Sequence, residues 1–400
     1  MVTAEKVNMN HSWQRGLPAL LSASIAGILL TLPTLAQAEG DGVPLHGFAD
    51  VGYTAHSKES TDPKGFNVGS LDFYLTPQFD SNVKGLIEII FETTKGGEVA
   101  TDLERMQIGY TFSDNATLWA GRFHTPYGYW NTGFHHGAQI QTAVLRPRFL
   151  DFEDKGGILP AHMVGFLGSG KVRAGIGKFT YDVFAGNGPK ISMGQDPVNP
   201  AAAATPVPQS LGTLNINTAG DNNHQAMAGL NLGYEFSGRA DGLRLSIHAL
   251  RGDVDDDSDG TLFGTTLLNK TEVSMAGGSV VYQGNEWEVL GEYYRFNNKD
   301  KSGTSGSHSS WADYLQLGRT FKGRMTPFLR VEKTVLSQLD NYFSMQDNGQ
   351  SYFRQVLGFK YDVNPKASLK FELMSSKFAA ETGRTAYKYR SLLAQYAIRF

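Results

Sequence analysis

Large apolar side chains recur at every second position through most of this 400-residue chain, with polar or charged residues between them. In 66–80, Leu71, Phe73 and Leu75 alternate with Asp72, Tyr74 and Thr76; in 83–94, Ile87, Ile89 and Phe91 alternate with Lys84, Glu88 and Glu92. Met106, Ile108, Tyr110 and Phe112 oppose Arg105, Gln107 and Thr111, and Trp119 and Phe123 are expected to oppose Arg122 and His124. The second half repeats the rhythm. Leu243, Leu245 and Ile247 oppose Arg244, Ser246 and His248; Leu329 and Val331 oppose Arg330 and Glu332; Leu369, Phe371 and Leu373 oppose Lys370 and Glu372. A period of two is the signature of a strand with one apolar and one polar face. About sixteen such strands are expected: 46–56, 66–80, 82–94, 101–113, 115–124, 160–174, 176–187, 222–237, 241–252, 268–283, 285–297, 309–322, 324–337, 350–362, 366–378 and 385–400. Within 160–187 the turn could fall at Gly168-Ser169-Gly170 or at a later glycine.

The connections alternate between short, such as Gln283-Gly284-Asn285 and Val363-Asn364-Pro365, and long: 125–159, 188–221, 253–267, 298–308 and 338–349. A soluble sandwich has no reason to alternate so regularly. Short turns at one end and long loops at the other are the layout of a transmembrane antiparallel β-barrel. The predicted fold is therefore all-β, one barrel over 39–400. The apolar face meets lipid and the polar face meets water.

Composition fits that reading. The chain holds 46 Gly, 12% aromatic and 19% charged residues, too polar for a bundle of apolar helices. It has no Cys, which removes thiol catalysis and Cys-based metal or haem sites. A formal charge of −3 argues against a nucleic-acid partner. Residues 1–38 read as a signal peptide: basic Lys6 and Arg15, apolar Leu17–Leu35, then Ala36-Gln37-Ala38 as the cleavage site, with Met9 as an alternative start.

The longest informative interruption is 121–160. It opens on Gly-Arg-Phe-His-Thr-Pro-Tyr-Gly (121–128), holds His135, His136, Arg146 and Arg148, and ends in Asp151, Glu153 and Asp154 before Gly156-Gly157. The last strand ends Ser391-Leu-Leu-Ala-Gln-Tyr-Ala-Ile-Arg-Phe400, with Leu392, Ala394, Tyr396, Ile398 and Phe400 on one face. In this layout and terminal Phe the chain resembles the bacterial outer-membrane porins. The Gly-Arg-Phe-x-x-Pro-Tyr-Gly stretch is similar to the end of strand five in porin-like proteins, the phosphate-selective type included. The resemblance implies a third loop, 125–159, folded into the barrel as a constriction. Asp151, Glu153 and Asp154 would then face wall bases such as Arg105, Arg122 and Arg244, balanced by Arg146, Arg148 and Lys155. Candidate pore-lining residues further include His124, Arg330 and Arg354. The same resemblance implies a homotrimer, a site in the bacterial outer membrane among its lipid and lipopolysaccharide, and passage of small hydrophilic solutes or ions. A porin selective for phosphate or another small anion is the alternative.

Other chemistry finds little support. Adjacent His135 and His136 on a strand would point to opposite faces and chelate poorly. With His124 and His162 they read as polar lining of a wet lumen. Asp255, Asp257, Asp259 and Gly260 resemble the start of a calcium loop, but position twelve is Thr266, not Glu, so an acidic outer loop is expected. No Gly-rich phosphate loop, GxSxG elbow or HExxH motif occurs, so neither cofactor nor catalytic activity is expected. A lipid hydrolase would need a Ser-His pair on the outer wall, and a sheath around a redox protein would need a partner; the sequence points to neither.

Overall fold

The computed structural model describes residues 43–57, 64–93, 97–134, 136–151, 157–192, 213–216, 225–255, 270–301, 305–344, 350–381 and 385–400. The signal-peptide assignment therefore lies outside the described residues. The strands are β1 (Leu45–His56), β2 (Gly65–Leu75), β3 (Val83–Thr93), β4 (Val99–Ser113), β5 (Ala116–His124), β6 (His162–Ala174), β7 (Gly177–Asn187), β8 (Lys190–Ser192), β9 (Thr213–Asn215), β10 (Ala226–Phe236), β11 (Leu243–Asp255), β12 (Lys270–Gln283), β13 (Trp287–Asp300), β14 (Ser307–Arg319), β15 (Met325–Val335), β16 (Tyr352–Asn364), β17 (Ala367–Phe378) and β18 (Tyr387–Arg399). Sixteen of them close into one antiparallel barrel, while β8 and β9 pair separately. Closure satisfies every edge, as a sheet facing lipid requires.

Side-chain alternation decides which face meets which solvent. Phe166, Ile247, Leu329 and Leu357 point outward and are more than half exposed, whereas Arg330, Lys370 and Glu332 point inward and are buried. An apolar outer band of this extent is not tolerated in water but suits hydrocarbon.

The seam joins β1 to β18, with Phe48 opposite Arg399. Gly47 and Phe400 exchange backbone hydrogen bonds of 3.2 and 3.1 Å. The Phe400 ring packs edge-on against Phe73 at 5.8 Å. Gly47 is small for a reason: a Cβ there would come within 2.4 Å of that ring. Gly47→Val is expected to displace Phe400 and cost about 1–3 kcal/mol, the usual range for overpacking. A lower thermal midpoint in the heat-modifiable mobility of the folded barrel checks this; an unchanged midpoint contradicts it.

Of the two placements left open for the β6–β7 turn, the structure has the later glycine, Gly175-Ile176, where Gly175 has φ +57°, rather than Gly168-Ser169-Gly170. Gly170 instead makes room for Tyr181, whose hydroxyl donates to the Asn115 carbonyl at 2.8 Å. In-strand glycine marks close approach here, not a bend. Strand β2 stops at Leu75 rather than continuing to residue 80, because Pro77 cannot donate to the ladder. On β5 the lipid-facing residues are Leu118 and Ala120; Trp119 turns inward beneath the Lys84 ammonium, 5.0 Å from its ring, and Phe123 is buried. Gly121, at φ +129°, breaks the alternation so that Phe123 and His124 reach the same cavity. Finally, 188–221, read from sequence only as a long connection, carries the β8–β9 ladder, and Leu214 and Ile216 are buried.

Candidate functional site

The inner wall is polar because strand parity leaves it no alternative: Glu88, Asn231, His248, Glu292, Arg330, Glu332, Arg354, Lys370 and Glu372 all come from the non-lipid face. Segment 125–161, between β5 and β6, meets that wall far from its own origin. It contains a single helical turn, Trp130–Gly133, and a 3-10 turn, Arg148–Leu150. Its backbone N–H groups donate to wall carboxylates. Tyr129 and Trp130 bond Glu292 at 3.0 and 2.9 Å, Val144 bonds Glu372 at 2.5 Å, and Arg148 bonds Glu332 at 2.9 Å. Gly128 N–H reaches His248 Nδ1 at 3.2 Å. In the other direction, Lys370 Nζ donates to the carbonyls of Ala138 and of Ala143, the latter at 3.0 Å. These partners sit on β11, β13, β15 and β17, and β15 lies eight strands round the ring from β5 in either direction.

The contact is buried and aromatic. Trp130 packs edge-on to Tyr314 at 5.8 Å, Tyr127 to Tyr294 at 5.9 Å and Phe149 to Tyr294 at 5.5 Å. Beside them, Arg330 Nε bonds Glu332 Oε1 at 2.9 Å, and Arg354 lies 3.9 Å from Glu332 Oε2. The Arg330 guanidinium stands over the Trp130 ring at 5.7 Å. An outer loop adds a further tie: the Tyr342 hydroxyl donates to the Ile158 carbonyl at 2.9 Å.

Open space lies on the other side. A cavity of about 530 Å³ is lined by Lys84, Arg105, Lys171 and Arg244 together with Asp114, Asp182 and Glu235, with His124 also on its wall. Both charge signs face one solvated space.

The residues singled out from sequence separate accordingly. Arg105, His124 and Arg244 line the cavity. Arg122 is buried, with its Nε donating to the Glu104 carbonyl at 3.1 Å. Arg330 and Arg354 do not line it; they are buried in the ion cluster around Glu332. Arg146 lies 3.9 Å from Asp151, and Arg148 stacks over Phe378 at 5.3 Å. Glu153, Asp154 and His135 lie outside the described residues. So do Asp257 and Asp259 of the calcium-like stretch, while Asp255 stands 3.6 Å from Lys270. The residues that sequence reasoning passed over are the anchoring carboxylates Glu292 and Glu372. They are ordinary inward strand positions until the segment that they hold is in place.

One anchor is pH-sensitive. Asp340, on the loop that carries Tyr342, accepts from Asn298 Nδ2 and from Tyr342 N–H, each at 3.0 Å. Burial pushes its carboxyl up to about 6. A raised carboxyl binds its proton more tightly in the folded loop than in the unfolded chain, so stability is lost as pH rises from the ordinary carboxylate range through that value. Amide exchange at Tyr342 and Phe343 is expected to accelerate beyond its intrinsic rate as pH passes about 6. Asp340→Asn is expected to remove the excess; the same excess in the variant would contradict this.

Neither a family model nor a curated protein matches the sequence. Solved structures do match the barrel. The outer membrane channel DcaP of Acinetobacter baumannii aligns at TM-score 0.56 and 11% identity, covering 91% of this chain and 99% of that one. An anion-selective porin from Comamonas acidovorans aligns at 0.55 and 13%, covering 90% and 99%. The chain has the fold of the bacterial outer-membrane porins. The trimer form of OmpT, an outer membrane protein of Vibrio cholerae, shares this porin barrel at TM-score 0.53 and 10% identity, covering 90% and 99%.

Proposed function

We propose that this protein is an outer-membrane porin: a water-filled channel for passive diffusion of small hydrophilic solutes and ions, narrowed by segment 125–159. Residues 1–38 direct export and are removed, and the mature barrel assembles as a homotrimer in lipid and lipopolysaccharide. One observation carries the reading: an apolar outer band encloses a polar lumen that segment 125–161 partly fills, leaving a cavity lined by both charge signs. Opposed charges across a narrow aqueous gap orient polar solutes and disfavour apolar ones, with weak net ion preference. Lys84, Arg105, Lys171 and Arg244 act against Asp114, Asp182 and Glu235 in this way. The trimer form of the Vibrio neighbour supports the assembly.

A second reading, a channel selective for phosphate or another small anion, draws support from the four bases on the cavity and from the anion-selective Comamonas neighbour. Reversal potentials across a planar bilayer in a salt gradient separate the two. General diffusion gives values near zero and no saturable block. Strong anion bias with block by inorganic phosphate supports the selective channel and overturns the first reading.

A further inference from the structure

Four side chains that diffusion does not require converge where the wall meets segment 125–161. Glu104 is the skipped residue where the pairing of β4 with β3 slips, since Glu88 faces Arg105 and Ile89 faces Leu103. Such a bulge turns one side chain off the alternation, and the Glu104 carboxylate is fully buried. His124 ends β5, His162 begins β6, and the two are register partners with ring centroids 5.1 Å apart. His136 arrives from the crossing segment. It sits in a turn, so the opposite-faces argument for strand neighbours does not govern it. The ring nitrogens point at one oxygen: His162 Nε2 lies 2.6 Å, His136 Nε2 3.1 Å and His124 Nε2 4.0 Å from Glu104 Oε2. Candidate ligand atoms of Glu104, His124 and His162 all lie within 4.8 Å of one another; His136 is not in that mutual set and joins it through Glu104.

We propose that Glu104, His124, His136 and His162 bind a divalent transition-metal ion of the zinc or cobalt class. Three imidazoles and one carboxylate are a donor set for such ions and not for magnesium or calcium, which take oxygen ligands. Ligands about 2.0–2.2 Å from a tetrahedral ion stand about 3.3 Å from each other, and the three separations between an imidazole and the Glu104 carboxylate, 2.6, 3.1 and 4.0 Å, fall on both sides of that value. Glu88 Oε2, 3.5 Å from His124 Nε2, brings a second carboxylate to the edge of the set, and Arg105 Nε pairs with that same oxygen. His124 lines the solvated cavity, which provides the way in. With two ligands from β5 and β6, one from β4 and one from the crossing segment, the bound ion clasps that segment to its wall.

The test uses untagged mature protein, folded in detergent and freed of metal by chelator. Cobalt titration is expected to give about one ion per chain, with the visible ligand-field bands of a tetrahedral nitrogen–oxygen centre, displaced by zinc. Loss of an outer-shell partner alone weakens metal sites about 10–100-fold, so His136→Ala and His162→Gln, each checked for folding by heat-modifiable mobility, are expected to lower affinity at least about that much. Folded wild-type protein that takes up no cobalt overturns the proposal. So does unchanged affinity in both variants, which would place the ion elsewhere. Either failure leaves the channel reading standing, because conduction is measured on the same metal-free protein.

Discussion

Glu332→Ala is expected to produce the largest loss of stability in the barrel, about 3–5 kcal/mol, the cost of breaking a buried ion pair by removing one partner. Glu332 is buried on β15 and is the shared acceptor for Arg330 Nε and Arg148 N–H, with the Arg354 guanidinium 3.9 Å away as an ion-pair partner. Its removal leaves two guanidinium groups buried beside one another without their anion. Urea unfolding in detergent micelles measures the effect. Glu332→Gln separates charge from shape: it keeps an acceptor for the Arg148 N–H but not the neutralising charge, so most of the loss is expected to remain. A loss below about 1 kcal/mol, typical of exposed pairs, would contradict this account of the cluster.

Glu292→Ala is expected to have the largest effect on the pore. The Glu292 carboxylate accepts from Tyr129 N–H at 3.0 Å, Trp130 N–H at 2.9 Å and the Tyr314 hydroxyl at 2.7 Å, and also from the Tyr294 hydroxyl. The donors left without this acceptor are expected to turn to lumen water, which loosens the segment rather than the barrel. The helical turn Trp130–Gly133 then loses its main tie to β13. With the turn loosened, the lumen widens and fluctuates. Single-channel steps are expected to grow and become noisier, while barrel unfolding shifts far less than in Glu332→Ala. Steps of unchanged size from a folded variant would show that this turn does not limit the pore.

The wall was legible in the alternation, whereas the anchors of the crossing segment, which only the resemblance had implied, were not. Alternation at Leu329–Glu332 or Leu369–Glu372 reports the two solvents directly, because in a closed barrel each side chain has only lipid or lumen to face. The pattern failed where backbone geometry overrode periodicity. Gly121, at φ +129°, and the bulge at Glu104 turn His124 and Glu104 off the alternation, whereas Trp119 and Phe123 were given to lipid for their size although Leu118 and Ala120 hold that face. The crossing segment has no period to read. Its anchors, Trp130 to Glu292 and Val144 to Glu372, join residues 162 and 228 positions apart. Glu104, His124, His136 and His162 likewise share no recognisable spacing; only the pairing of β4, β5 and β6 brings the first, second and last of them together. The cation–π position of Arg330 over Trp130 explains why an arginine on a lumen-facing strand is not a pore-lining one.

Planar-bilayer recording on the purified, folded mature protein bears most directly on the whole picture. Discrete, long-lived ohmic steps that scale with salt concentration are the predicted outcome. A barrel shown to be folded and inserted, yet passing no current at any salt concentration, would contradict it.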